Sequence, residues 1–227
     1  MNSQIKTEIV GIPNCPLCDS STSLWMETNV KFYRCKSCML VFKDRSVLLP
    51  AQAEKFRYEQ HNNDPKDSRY LAFLNKLLNP LNDKLSPKSS GLDFGCGPTK
   101  VAEQILQSYG HKVQSYDPYF FPDESLLSNQ YDFISCSEVF EHFHNPAKEL
   151  QLLNSCLRPS GLLAVMTSSY PAKDDFANWY YWKDPTHVSF YSKETFKFIA
   201  EKINFDLLES TETTFYLKKK TTTEVLS

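Results

Sequence analysis

The stretch GLDFGCGP, residues 91–98, decides the fold. It reads as a short buried strand that ends in glycines and runs into KVAEQILQSYG (100–110). There Val101, Ile105, Leu106 and Tyr109 fall on one helical face, and Gly110 supplies a C-cap. Strand, glycine turn and helix open a βαβ unit. Glycines at the carboxyl end of its first strand let the backbone approach a ligand closely and take φ/ψ values other residues avoid. Asp93, Gly95, Cys96 and Gly97 are therefore candidate cofactor-binding residues by position. The thiol of Cys96, like those of Cys136 and Cys156, reads as a small buried hydrophobe. HKVQSYDP (111–118) is the second strand and ends in Asp117, where an acid can accept hydrogen bonds from ribose hydroxyls. The third glycine of the dinucleotide fingerprint is absent.

Downstream the alternation continues. YDFISCS (131–137) is a third strand. NPAKELQLLNSCLRPSG (145–161) is a helix opened by Pro146 and closed before Gly161, and LLAVMTS (162–168) is a buried strand. SKETFKFIAEKI (192–203) is a helix with Ser192 as N-cap and Phe196, Ile199, Ala200 and Ile203 inward. FDLLES and TTFYLKK close the chain as an antiparallel pair. This predicts an α/β, Rossmann-like doubly wound, mostly parallel sheet over 91–220, with ligands at the carboxyl ends of its strands.

Upstream, residues 1–48 carry CPLC (Cys15, Cys18) and CKSC (Cys35, Cys38) among strand-like runs SLWMET, KFYRC and LVFKD. Two C-x₂-C knuckles so spaced suit a tetrahedral zinc site, a zinc-ribbon module for which metal binding would be the folding energy. Residues 49–90 read as a helical linker or lid. Leu71, Leu74, Leu77, Leu78 and Leu81 lie at helical spacing, and Pro80 is expected to kink or end the helix. In RYEQHNN, Tyr58, His61 and Asn62 read as a helix end with a turn. Residues 221–227 are a tail.

With 227 residues, a net charge of −2 and a pI of about 6.2, the chain is an ordinary globular composition that does not favour a nucleic-acid partner. Its one basic run, Lys218-Lys219-Lys220, reads as solvated. No apolar run approaches a membrane span, and MNSQIKTEIV is not a secretory signal, which predicts a cytoplasmic protein with thiols rather than disulfides.

SEVFEHF (137–143) follows the third strand. On a helix Glu138, Glu141 and His142, at i, i+3 and i+4, would share one face.

Taken in order, LDFGCG, YDP, YDFISCSEVFEHF and LRPSGLLAV resemble the class I S-adenosylmethionine (SAM) methyltransferases, and most closely their quinone-biosynthesis methylase-like branch. The resemblance covers about residues 90–220. It implies that Gly95 and Gly97 line the methionine part of SAM, that Asp117 holds the ribose, and that Ser137 and Glu138 lie near the sulfonium and the acceptor. The chain departs from the pattern at PYFFPDESLLSNQ (118–130), where the usual third strand is compressed. Asp123 is the nearest candidate there for the adenine contact.

Ubiquinone-pathway O-methyltransferases and small-RNA 3′-terminal 2′-O-methyltransferases carry a similar E-x-x-E-H run that binds a divalent metal. In the RNA enzymes a later histidine joins it. Its counterpart here is His187 in DPTHVSFYSKETF, so the matched set is Glu138, Glu141, His142 and His187. Such ligands suit Mg²⁺, Mn²⁺, Fe²⁺ or Zn²⁺. Three readings stay open: a metal site, a metal-free site in which His187, His142 and Glu141 act on the acceptor directly with His187 as base, and a plain helix start. The aromatic run 176–191 (Phe176, Trp179, Tyr180, Tyr181, Trp182, Phe190, Tyr191) is expected either to touch a planar acceptor or to form a core patch against the 51–90 helices.

The function the resemblance implies is SAM-dependent O-methylation of a small hydroxylated substrate, aromatic or sugar-like. A four-cysteine module before a SAM domain also resembles deoxysugar C-methyltransferases and some ribosomal-RNA methyltransferases. RNA or nucleotide-sugar methylation, or a non-catalytic binding module acting through the zinc ribbon, are the alternatives. Oligomeric state is not set by the sequence.

Overall fold

A computed structural model describes residues 11–60 and 63–221, so His61, Asn62, the first ten residues and 222–227 lie outside the described residues. The N-terminal sheet is built from β1 (Thr22–Glu27), β2 (Lys31–Cys35) and β3 (Val41–Lys43), antiparallel neighbours in that order. Two helices follow, α1 (Ala51–Tyr58) and α2 (Ser68–Asn82). The main body then alternates β4 (Ser90–Phe94), α3 (Val101–Ser108), β5 (Lys112–Tyr116), β6 (Tyr131–Ser137), α4 (Pro146–Ser155) and β7 (Leu157–Met166). It closes with the short α5 (Lys173–Phe176), β8 (Ser189–Phe190), α6 (Lys193–Lys202), β9 (Phe205–Ser210) and β10 (Thr214–Lys219).

The main sheet has the order β5-β4-β6-β7-β10-β9. Its first four strands are parallel; β10 runs antiparallel to β7, and β9 antiparallel to β10. The predicted α/β doubly wound architecture is thus present. The carboxyl ends of β4, β5 and β6 meet at one edge, the place such sheets use for ligands.

The helices follow their apolar periodicity. α2 buries Leu74, Leu77, Leu78 and Leu81, and these join a core shared with α3, β6, β7 and β10. Pro80 does not end α2, which runs on to Asn82. A proline removes the amide that would bond the carbonyl four residues back. Here the Tyr216 hydroxyl, from β10, reaches the Lys76 and Leu77 carbonyls at 3.4 and 2.9 Å, so the freed acceptor is satisfied and the helix continues. α6 carries the expected Ser192 cap as a capping box with Thr195.

Four further features differ from the sequence reading. Residues 118–130 form no strand, only a 3-10 turn at Glu124–Ser128, which leaves β5 at the sheet edge among the described residues. Phe140–His142 is a single 3-10 turn rather than the start of a helix, because Asn145 and Pro146 open α4 later. Of the basic run, Lys218 is exposed as read, but Lys219 and Lys220 are half-buried and partnered: the Lys219 ammonium donates to the Asn154 and Leu157 carbonyls, and Lys220 pairs with Asp206 at 3.2 Å.

The aromatic run does not pack on the 51–90 helices. Phe176, Trp179, Tyr181, Trp182 and Phe190 surround Trp25 and Phe32 of the N-terminal sheet, with edge-on contacts such as Trp25–Phe176 at 4.6 Å and Phe32–Trp182 at 5.4 Å. The reason is β8, which adds to the N-terminal sheet as a fourth strand (Val41 opposite Phe190, Phe42 opposite Ser189) and carries its neighbours with it.

Candidate functional site

The four thiols of Cys15, Cys18, Cys35 and Cys38 converge, with one Sγ from each lying within 4.8 Å of the others. Cys15–Cys38 and Cys18–Cys35 are 3.5 and 3.4 Å apart, and no disulfide joins them. Burial raises the Cys35 thiol, and the amides of Ser37 and Cys38, which point at its sulfur at 3.3 and 3.4 Å, oppose that shift. The cluster shares its core with Phe140, Phe143 and Tyr191 of the main body.

A cleft of about 1320 Å³ opens at the carboxyl ends of β4, β5 and β6. Its floor is the glycine loop. Gly95 and Gly97 both take left-handed φ, +76° and +64°, and a Cβ on Gly95 would meet Val139 at 2.5 Å. Asp117 clamps this loop: its carboxylate accepts from the Gly97 amide at 3.0 Å and from the Tyr119 and Phe120 amides at 2.9 and 3.2 Å. Two carboxylate oxygens carry about four acceptor sites, so Asp117 keeps capacity for a ligand on the cleft side. Asp93 is buried and accepts from the Ser135 hydroxyl at 3.0 Å; burial pushes its carboxyl up to about 7. Cys96 lines the cleft with them, and burial raises its thiol well above the usual value. Along the compressed 118–130 stretch the cleft is lined by Pro118, Tyr119, Phe120, Glu124 and Leu127. Asp123 instead caps its own turn, accepting from Ser125, and faces a separate groove.

The same cleft continues past Ser137 and Glu138 to His142, Tyr180, Tyr181 and His187. Glu138 follows β6 with φ of +53°, a conformation an L-residue adopts only when its surroundings impose it. Its carboxylate accepts from the Tyr181 hydroxyl at 3.0 Å, and burial pushes it up to about 7. This backbone turn takes Glu138 off the face it would share with Glu141 and His142 on a helix.

Glu141, His142 and His187 do converge, with one potential ligand atom from each lying within 4.8 Å of the others. Glu138 is outside that group. Glu141 is fully buried, and neither carboxylate oxygen has a hydrogen-bond partner, although Tyr181 and Thr167 lie close by. Burial, with the Glu138 charge nearby, holds its carboxyl well above the usual range.

The two imidazoles are oriented by the backbone. His142 Nδ1 lies 3.0 Å from the Thr186 carbonyl and His187 Nδ1 lies 2.8 Å from the Tyr181 carbonyl. A carbonyl only accepts, so each ring carries a proton on Nδ1, and in the neutral form Nε2 is the lone-pair nitrogen. His142 Nε2 is 3.9 Å from the Glu141 carboxylate. The rings sit edge to face at 4.8 Å, Tyr181 lies against His187 at 4.2 Å with the planes tilted by 55°, and Tyr58 of α1 meets His142 edge-on at 5.0 Å.

Helix α1 covers this region through polar contacts. Glu54, its one buried residue, accepts from the Tyr119 hydroxyl and from His144, both at 2.7 Å, and Arg57 pairs with Asp184 at 2.7 Å. Sequence reasoning missed Glu54, Thr186 and Lys43. Glu54 and Lys43 are charged residues in polar or short segments, and Thr186 acts through its carbonyl, so none leaves a pattern in the sequence.

A family described as a methyltransferase domain matches residues 61–210. The ubiquinone biosynthesis O-methyltransferase of Aeromonas salmonicida (strain A449) is 30% identical over 78 residues, 34% of this chain and 33% of that protein. Its namesake in Colwellia psychrerythraea is 29% identical over 86 residues, 37% of this chain and 34% of that one. The aligned region is thus about a third of the length of these curated relatives. Among solved structures, the Burkholderia thailandensis 1,6-didemethyltoxoflavin-N1-methyltransferase, with its methyl acceptor and S-adenosylhomocysteine bound, aligns over 89% of this chain and 100% of its own with a TM-score of 0.55 at 12% identity. At that identity the likeness is one of fold. Among the described residues no helix is long and apolar enough to cross a membrane.

Proposed function

The chain belongs to the methyltransferase-domain family, and from that premise we propose that it transfers a methyl group from SAM to a hydroxyl of a small acceptor, with a divalent metal held by Glu141, His142 and His187. The observation that carries this reading is the continuity of the cleft: the glycine loop at one end and the acid–imidazole group at the other open into the same space.

Gly95, Cys96 and Gly97 would receive the methionine part of the donor, since no side chain at the two glycines blocks the backbone. Asp117 would take the ribose hydroxyls while keeping the loop closed through the Gly97 amide. Ser137 and Glu138 stand between donor and acceptor. Holding both reactants in line supplies much of the rate of a displacement.

The donor set fits a divalent ion. Two imidazoles are locked with Nε2 as acceptor by backbone carbonyls, the arrangement that orients metal-ligating histidines. The buried carboxylate with no hydrogen-bond partner is a group that a cation would satisfy. A bound divalent ion would supply a lowered pKa for an acceptor hydroxyl. Of the 176–191 aromatic run, Tyr180 and Tyr181 line the acceptor end, while the others serve packing.

The four-cysteine cluster fits structural zinc. Tetrahedral Zn–S bonds of about 2.3 Å require sulfurs about 3.8 Å apart, close to the 3.4–3.5 Å of the two nearest pairs.

The test is calorimetric titration with SAM, followed by turnover to S-adenosylhomocysteine on catechols and other hydroxylated small molecules with and without Mn²⁺ or Mg²⁺. SAM binding with metal-dependent turnover supports the proposal. SAM binding with turnover indifferent to chelation, zinc being retained, removes the metal from it, and absence of SAM binding removes the enzyme reading.

A further inference from the structure

Lys43 is a buried cation at the end of β3 that the reading above does not use. Its ammonium donates to the Asp184 carbonyl at 2.8 Å, and its own amide donates to the Val188 carbonyl at 2.9 Å. Between those two contacts lies the loop that orients every member of the acid–imidazole group. The Thr186 carbonyl receives His142, the Val188 amide donates to the Glu141 carbonyl at 2.7 Å, and His187 is itself in the loop. The His187 amide closes the turn on the Asp184 carbonyl at 3.2 Å, the oxygen that Lys43 also holds. The Asp184 carboxylate, in turn, caps Thr186 and pairs with Arg57.

The loop therefore has two anchors, one on the lid helix α1 and one on the four-cysteine sheet. The second is the more deeply built. Immediately after His187 the chain becomes β8 and pairs with β3, so register errors in that pairing would displace His187 directly. β3 lies against β2, which ends at Cys35, and the Cys35 amide bonds the Leu40 carbonyl across the knuckle at 2.9 Å.

We infer that Lys43 is a positioning residue through which the four-cysteine sheet sets the orientation of Glu141, His142 and His187. The N-terminal module is on this view part of the acceptor site rather than an appended binding unit. A buried ammonium bonded to a neutral carbonyl costs desolvation, and burial lowers Lys43 to about 8, with the Asp184 charge opposing that shift. A leucine or methionine would pack there without that cost, whereas neither could hold the Asp184 oxygen.

The inference rests on the acid–imidazole group being the acceptor-side site, and its test separates the two. Histidine side chains are labelled with ¹⁵N in wild type, Lys43→Met and Lys43→Arg, with His142→Gln and His187→Gln for assignment. Spectra are recorded on metal-stripped, zinc-retaining protein at about pH 8. Mn²⁺ affinity and SAM affinity are measured on the same samples.

Wild type should show His142 and His187 as single Nδ1–H tautomers. Lys43→Met should mix both tautomers and weaken Mn²⁺ about tenfold or more, with zinc content and SAM affinity unchanged, and Lys43→Arg should restore the wild-type signals. Retention of both Nδ1–H signals and of Mn²⁺ affinity in Lys43→Met overturns the inference. If wild type binds no Mn²⁺, the metal reading fails, yet the tautomer comparison still decides the role of Lys43. Should Lys43→Met not fold, Lys43→Gln, which keeps an uncharged donor one atom too short, gives the same comparison.

Discussion

Replacing Glu141 by methionine should stabilise the metal-free protein and remove its response to Mn²⁺. The wild-type carboxyl is fully buried and neither oxygen is hydrogen-bonded. An unsatisfied buried polar group costs about 1–3 kcal/mol. Methionine fills nearly the same volume without polar oxygens, so most of that penalty should be recovered. For a chain of this length about 1 kcal/mol moves the melting midpoint by about 2–4 °C, which places Glu141→Met about 2–12 °C above wild type once labile metal is removed. Adding Mn²⁺ to about one hundred times its Kd stabilises a protein that binds it only when folded by about 2.7 kcal/mol. Wild type should therefore gain about 5–11 °C and the variant nothing. The assay is differential scanning calorimetry in each buffer, with zinc content checked so that the four-cysteine site stays loaded. A lower midpoint for Glu141→Met in metal-free buffer would mean that the carboxyl is structurally satisfied, and an equal Mn²⁺ response in both proteins would mean that the ion binds elsewhere; either result refutes the reasoning.

Gly95→Ala should abolish detectable SAM binding by calorimetry while leaving the zinc content intact, since the new methyl meets Val139 at 2.5 Å and the +76° φ disfavours any side chain. Asp93→Asn should change the pH dependence of stability. The folded carboxyl is raised from 3.8 to about 7, so in wild type stability falls as pH rises between those values and levels off above. The variant lacks that loss, and urea melts of the ligand-free proteins should show its relative stability rising by about 4 kcal/mol from pH 4 to pH 8. A difference that does not vary with pH would exclude Asp93 as the titrating group. Cys35→Ala should release zinc, measured by a chromogenic chelator, and unravel the N-terminal sheet, because structural zinc in small modules supplies about 10–16 kcal/mol of folding energy. Unchanged zinc content in that variant would remove Cys35 from the ligand set.

Much of this architecture was legible because local pattern and global fold agree. The glycine-ended strand at 91–97, the helix periods of α3 and α6 and the paired knuckles each signal one structure at short range. What was not legible depends on contacts between segments distant in sequence. Pro80 stays inside α2 because Tyr216, 136 residues further on by number, brings a hydroxyl within 3.4 Å of the freed Lys76 carbonyl. The Lys219 ammonium is tied down because the Asn154 and Leu157 carbonyls, near the end of α4 and the start of β7, accept from it. The aromatic run pairs with the N-terminal sheet because a two-residue strand, too short to register as a periodicity, joins that sheet at its edge.

The acid–imidazole group shows how a correct set of residue types can rest on a wrong local geometry. Helical spacing would align Glu138, Glu141 and His142, but Glu138 takes a left-handed turn and only a 3-10 turn follows. One consequence is a division of labour between the two acids. Glu138 lines the cleft and accepts from Tyr181, whereas Glu141, fully buried, converges with the two imidazoles. A straight helix would have put both carboxylates side by side, where two buried like charges oppose each other. The positive φ at Glu138 turns its side chain off that face, although its charge still raises the Glu141 carboxyl; the turn is held by the Met166 carbonyl, 2.9 Å from its amide, and by the Tyr181 hydroxyl on its side chain. Tyr181 also gives its carbonyl to His187, so one residue of the 181–188 loop fixes the outer acid and the second imidazole together. That is why the site depends on the loop, and through Lys43 on the four-cysteine sheet, more than on the run of residues that first drew attention to it.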